Sequence, residues 1–80
     1  MKLVLLTRAY CHLCDEMAAE LLPLIGETPL EVIDIDAAEH AALEASFGDA
    51  VPALFAQSPR AENEICRHRL DRARLFAALA

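Results

Sequence analysis

Cys11-His12-Leu13-Cys14 lies between two stretches of different hydrophobic period, and that position constrains the chain more than any other feature. Residues 2–7 are rich in Leu and Val and apolar on both faces, as a strand covered on both sides is. From Leu13 onward the apolar residues recur at helical spacing, Leu13, Met17, Leu21, Leu24 and Ile25, with Asp15, Glu16 and Glu20 on much of the other face. A cysteine pair at such a junction sits where the free N–H groups of a first helical turn and the helix dipole favour negative charge. The thiolate is the nucleophile in disulfide exchange, so Cys11 is the expected attacker. Cys14, one turn later on the same side, is the expected resolving thiol. His12 and Arg8 are expected to support the Cys11 thiolate, against the nearby carboxylates of Asp15 and Glu16.

The rest of the chain reads as alternating strands and helices. Pro23 predicts that the first helix ends near Leu22 or bends there before Gly26. Leu30, Val32, Ile33 and Ile35 form a second strand. Asp36 and Glu39 have the spacing of a capping box, opening a helix that turns Leu43 and Phe47 inward and closes at Gly48. Residues 51–56 read as a third strand, residues 57–60 as a turn, and residues 64–68 as the return strand of a hairpin. Asp71 is placed to cap a last helix with Leu75, Phe76 and Leu79 as its apolar positions. The expected architecture is three-layer α/β, with a four-stranded mixed sheet, the first two strands parallel and the last two an antiparallel hairpin.

Eighty residues, 56% of them apolar, suffice for one modest core and therefore one domain over residues 1–80. Seven basic against thirteen acidic residues give a net charge of −6, which repels nucleic acid. The apolar run near the N-terminus is shorter than a signal-peptide core, and nothing reaches bilayer length, so a cytoplasmic setting away from the membrane is expected. With three cysteines and a reducing compartment, the cysteines point to chemistry or metal and not to a disulfide framework.

Taken together, the chain resembles the glutaredoxin-like branch of the thioredoxin superfamily, and most closely its short bacterial members. Tyr10-Cys11-His12-Leu13-Cys14 is similar to the glutaredoxin active site, which also follows a first strand and commonly carries Tyr before the first cysteine. Val51-Pro52 resembles the second family mark, a cis-proline whose preceding residue offers its backbone to the substrate. The resemblance implies a thioredoxin-like β-α-β-α-β-β-α fold. It also implies thiol-disulfide exchange by Cys11 and Cys14, with Arg8, Tyr10, His12, Val51 and Pro52 meeting the substrate. That substrate is a disulfide-containing protein or a small thiol, with glutathione as candidate co-substrate, no resident cofactor or metal, and a monomeric chain. Glutaredoxins usually have Pro after the first cysteine and Gly-Gly ahead of the last helix. Here His12 and the segment Cys66-Arg67-His68-Arg69 stand in those places, with Arg67 or Arg69 as candidates to pair with a glutathione carboxylate.

The competing reading is a non-enzymatic module. A C-x-x-C pair also serves as half of a zinc site, and Cys11, Cys14, Cys66 and His68 are four ligands of suitable type. A domain that keeps its cysteines but acts as an adaptor belongs to the same class. Cys66 by default reads as a small buried hydrophobe of the fourth strand, His40 as solvated and His68 as a polar strand-end residue.

Overall fold

The computed structural model describes residues 1–80 throughout. Strand β1 (Leu3–Thr7) leads into helix α1 (His12–Ile25), strand β2 (Leu30–Asp34), helix α2 (Ala41–Phe47), strands β3 (Ala53–Ala56) and β4 (Glu64–Arg67), and helix α3 (Arg72–Leu79). The four strands form one sheet in the order β2-β1-β3-β4. β1 pairs in parallel with β2, and the β1–β3 and β3–β4 pairs are antiparallel. This is the expected mixed sheet.

Alternation along the strands divides the core in two. Leu3, Leu5 and Leu54 face one side, where they pack with Met17, Leu21 and Ile25 of α1 and Leu75 of α3. Val4, Leu6, Ala53 and Phe55 face the other, with Ile33, Ile35 and Ala50, and against these lie Leu43 and Phe47 of α2. Leu3 to Leu6 are at most 1% exposed because β1 is central and covered on both faces. In β4 the adjacent residues Ile65 and Cys66 are both buried on the α1/α3 side. A bulge explains this: Leu54 pairs with Cys66 but the next residue, Phe55, pairs with Glu64, so Ile65 is an extra residue in the strand.

Several local expectations give way to packing. α1 runs through Pro23 to Ile25 and does not end near Leu22. An interior proline costs a helix about 3 kcal/mol, whereas burying a Leu or Ile side chain contributes roughly 1.5–3 kcal/mol each. Leu21 and Ile25 are buried on either side of Pro23 and Leu24 packs beside them, so burial outweighs the lost ladder bond. Gly26 then ends the helix at φ 57, a conformation that favours glycine. The buried stripe of α1 is Cys14, Met17, Leu21 and Ile25, and Leu13 is exposed.

The Asp36–Glu39 capping box does not form. Its place is taken by a 3-10 turn, Ala38–His40, with no side-chain cap, because the Asp36 carboxylate turns to Arg8 and its N–H donates to Asp34 Oδ1 at 3.0 Å. Val32 is 57% exposed on the edge strand β2, and Phe76 points outward from α3. The third strand begins at Ala53, so Val51 and Pro52 precede it. Asp71 caps α3 as expected, its Oδ1 accepting from Arg74 N–H at 3.0 Å. No helix is long and apolar enough to cross a membrane.

Candidate active site

Cys11 is the N-cap of α1. Its backbone is extended, φ −109 and ψ 104, and its Sγ accepts the Cys14 N–H at 3.1 Å, the bond that a Ser or Asp oxygen makes in an ordinary cap. The first-turn N–H groups have no intrahelical partners, so a sulfur in this place is where an anionic charge is best received. Cys11 and Cys14 are joined as a disulfide with their Cα atoms 5.2 Å apart. One helical turn separates them, which suits bridge formation. Cys11 is half-buried, while Cys14 is only 2% exposed beneath it, on the face of α1 that packs onto the sheet.

The neighbouring residues are arranged differently from the sequence expectation. Tyr10 sits at φ 57 with its side chain fully exposed, in the turn that carries the chain from β1 to the helix. The hydrogen bond to the Cys11 sulfur comes from the Cys14 N–H and not from His12. The His12 ring faces outward, its Nε2 3.4 Å from Glu16 Oε2 one turn along. Arg8 reaches across to β2's end, Nη2 to Asp36 Oδ1 at 3.3 Å, and its Nε is buried without a hydrogen-bond partner. Of the two arginines expected to serve a carboxylate ligand, Arg67 is held by both oxygens of Glu64, at 2.6 and 2.9 Å. That ion pair holds the Glu64 carboxyl below its usual range.

The sheet brings the second set of residues to the same end. Leu6 lies opposite Ala53, so Pro52 continues from β3 at the edge where β1 runs on towards Cys11. The Val51–Pro52 peptide bond is cis, Pro52 is buried, and Val51 packs against the α2-side core. Arg67 lies opposite Ala53 in turn, which sets His68 beside Pro52. His68 stands at φ 68 and donates its N–H to Pro52 O at 2.7 Å, and its ring Nε2 is 2.8 Å from Asp49 O. From the sequence alone His68 reads as a polar strand-end residue or a zinc ligand. The sequence already sets the segment Cys66–Arg69 where glutaredoxins carry Gly-Gly, and the signal in that placement is that a glycine site can require a positive φ, which His68 adopts at 68. A groove of about 170 Å³ opens nearby, lined by Leu13, Glu16, Met17 and Glu20 of α1 and by His68, Arg69 and Leu70.

The four zinc ligands considered from the sequence are not assembled. Cys11 and Cys14 are bridged to each other, Cys66 is buried among the α1/α3-side core residues, and the His68 ring is turned to Asp49. No group of three or more His, Cys, Asp and Glu side chains comes together in a way that could hold a metal ion. Burial pushes the Cys66 thiol up from its ordinary value, so it is the neutral thiol at physiological pH. Cys66 is therefore expected to resist alkylation by iodoacetamide at pH 8 in the native protein and to react promptly in denaturant. Mass spectrometry counts the adducts, and rapid native labelling would show that Cys66 is not the packed residue described here. The linkage runs the same way: the unfolded thiol ionises first as pH rises past about 8.5, so this site's contribution to stability falls in alkali.

Comparison with known proteins identifies the family and the fold type. The Glutaredoxin-like domain (DUF836) family model matches residues 2–80. The solution NMR structure of a protein from Nitrosomonas europaea is 43% identical, with 99% of this chain and 91% of that one covered and a TM-score of 0.77. The X-ray structure of a protein from X. campestris is 36% identical, covers 96% of this chain and 93% of its own, and has a TM-score of 0.69. No curated protein matches. The fold is of the thioredoxin-like type, and the chain belongs to the glutaredoxin-like domain family DUF836.

Proposed function

We propose that this chain is a thiol-disulfide oxidoreductase in which Cys11 is the nucleophile and Cys14 the resolving thiol. The observation that carries this reading is the Cys11 sulfur at the N-cap of α1, bonded by the Cys14 N–H and bridged to Cys14. In the reduced protein the Cys11 thiolate attacks one sulfur of a substrate disulfide. A Cys11–substrate bond forms, the substrate S–S bond breaks, and the departing thiolate takes up a proton. The Cys14 thiolate then attacks Cys11 Sγ, closing the Cys11–Cys14 disulfide and releasing the second substrate thiol. The substrate has gained two electrons and the protein has lost them. A thiol in excess, with glutathione the first candidate, returns the pair to the dithiol.

Val51 is suited to align a peptide substrate, since it lies outside the strands and takes part in none of the turn and loop backbone hydrogen bonds. Tyr10 supplies an exposed aromatic surface beside Cys11, and His12 and Arg8 act on the local charge through Glu16 and Asp36. For glutathione, Arg69 on the groove is the arginine we assign to a carboxylate, because Arg67 is held by Glu64. We assign the activity to the cytoplasm, where a glutathione pool supplies electrons and keeps Cys66 reduced.

The test is a redox titration in glutathione buffers, with free thiols trapped and counted by mass. Cys11 and Cys14 are expected to pair reversibly at a midpoint between roughly −120 and −270 mV, the span of known dithiol oxidoreductases. Absence of a reversible Cys11–Cys14 disulfide across that range would overturn the proposal.

A further inference from the structure

His68 holds the chain on both sides of Val51. Its backbone N–H donates to Pro52 O at 2.7 Å, and its ring Nε2 lies 2.8 Å from Asp49 O. A carbonyl oxygen only accepts, so Nε2 carries the hydrogen and donates it. Asp49 and Pro52 bracket Val51, which makes no backbone bond of its own in this loop. The anchors cross from the end of β4 to the 3-10 turn Gly48–Ala50, where Asp49 lies, and to Pro52 just ahead of β3. The backbone of His68, at φ 68, is one that glycine adopts freely and a residue with a Cβ adopts at a cost. The imidazole brings what glycine lacks, a donor for Asp49.

We infer that His68 is a positioning residue of the exchange site: by clamping Asp49 and Pro52 it fixes the Val51 backbone to receive the extended backbone of a disulfide-bearing peptide. The inference rests on the exchange reading above and gives it a substrate class. A peptide disulfide offers N–H and C=O groups to a fixed Val51, and a small alkyl disulfide offers none. The clamp therefore acts on peptide substrates in particular, whereas a general loss of structure at His68 acts on every substrate.

The experiment compares His68→Ala, His68→Gly and His68→Gln in the full chain. Two rates are measured, kcat/KM for a disulfide-bridged peptide and for bis(2-hydroxyethyl) disulfide, together with amide hydrogen exchange at Asp49 and Ala50. Loss of one hydrogen bond of this kind predicts that Ala and Gly lower the peptide rate about three- to tenfold more than the small-disulfide rate. Exchange at these two amides is expected to quicken in both variants. Gln, whose amide nitrogen is also a donor at the end of its side chain, is expected to restore most of the peptide rate. Equal losses on both substrates, or a His68→Gly protein that treats the peptide as the wild type does, would overturn the clamp. So would unchanged amide exchange in His68→Ala alongside a normal wild-type rate. A wild-type protein inert toward both disulfides is a different result, overturning the exchange reading and the substrate role with it.

Discussion

Replacing Cys11 with Ser is expected to remove disulfide reductase activity, by about 10³-fold or more, while Cys14→Ser captures the substrate instead of releasing it. The two sulfurs are close in the chain but differ in access: Cys11 is half-buried at the helix cap, and Cys14 is 2% exposed. An incoming thiol that reduces the Cys11–Cys14 bridge has to reach Cys11 Sγ, and Cys14 then leaves as a thiolate inside the fold. Running the same path backwards, the substrate disulfide is attacked by Cys11 and the mixed disulfide resolved by Cys14 from beneath. Without Cys14 the second step has no internal nucleophile, and the Cys11–substrate species accumulates until an external thiol frees it. Mass spectrometry of each variant after incubation with a disulfide-bridged peptide reads this directly. The expected result is a covalent adduct on Cys14→Ser and none on Cys11→Ser. Equal activity in the two variants, or an adduct on Cys14 in the Cys11→Ser protein, would reverse or remove the roles assigned here.

The sequence was most legible where one signal was strong and local. β1 could be read from four consecutive apolar residues because a central strand is buried on both faces, and Asp71 could be read as a cap because its partner is three residues away. The cysteine pair was legible for the same reason, its chemistry following from a strand on one side and a helix on the other. Reading failed where the deciding partner is distant in the chain. Asp36 has the local credentials of a helix cap, but Arg8, just past the end of β1, takes its carboxylate. Pro23 leaves open a helix end near Leu22 or a bend before Gly26, and the burial of Leu21 and Ile25 against the sheet decides for a helix that runs on to Ile25. The phase of α1 turned on whether Leu13 or its neighbour Cys14 faced the sheet, and apolarity alone favoured Leu13. His68 was misjudged because its partners, Pro52 and Asp49, lie 16 and 19 residues earlier and are acceptors only by virtue of the fold. The bulge at Ile65 has no counterpart in residue pattern at all.

Phe55→Ala is the substitution expected to cost the fold most. Phe55 is fully buried on the α2 side of β3, and its ring meets Phe47 edge-on, with centroids 5.0 Å apart and planes at 67°. Truncating a buried Phe costs about 3–5 kcal/mol, part of it the lost aromatic pair at about 0.5–1.5 kcal/mol. A domain of this size has a total stability on the order of 4–12 kcal/mol, so the loss is a large share of the whole. At roughly 4–8 °C per kcal/mol for a small domain, Tm should drop by about 12–40 °C. The damage should also be uneven. α2 has no fully buried residue and no side-chain cap, and Leu43 and Phe47 are the contacts that hold it to the sheet. Ala50, which leads into Val51 and Pro52, packs in the same cluster as Phe55. The cysteine pair, by contrast, is carried by α1, whose Met17, Leu21 and Ile25 belong to the opposite core. Below its melting temperature the variant is therefore expected to keep its Cys11–Cys14 disulfide while amide exchange quickens from Ala41 to Val51. Thermal unfolding by circular dichroism and hydrogen exchange by mass spectrometry check the two parts, with Phe76→Ala, a change at an exposed position of α3, as the reference. A Tm drop no larger than that of Phe76→Ala would mean that α2 is not held by this aromatic contact. Exchange that quickens equally in α1 would mean that the two cores do not separate in the way the packing implies.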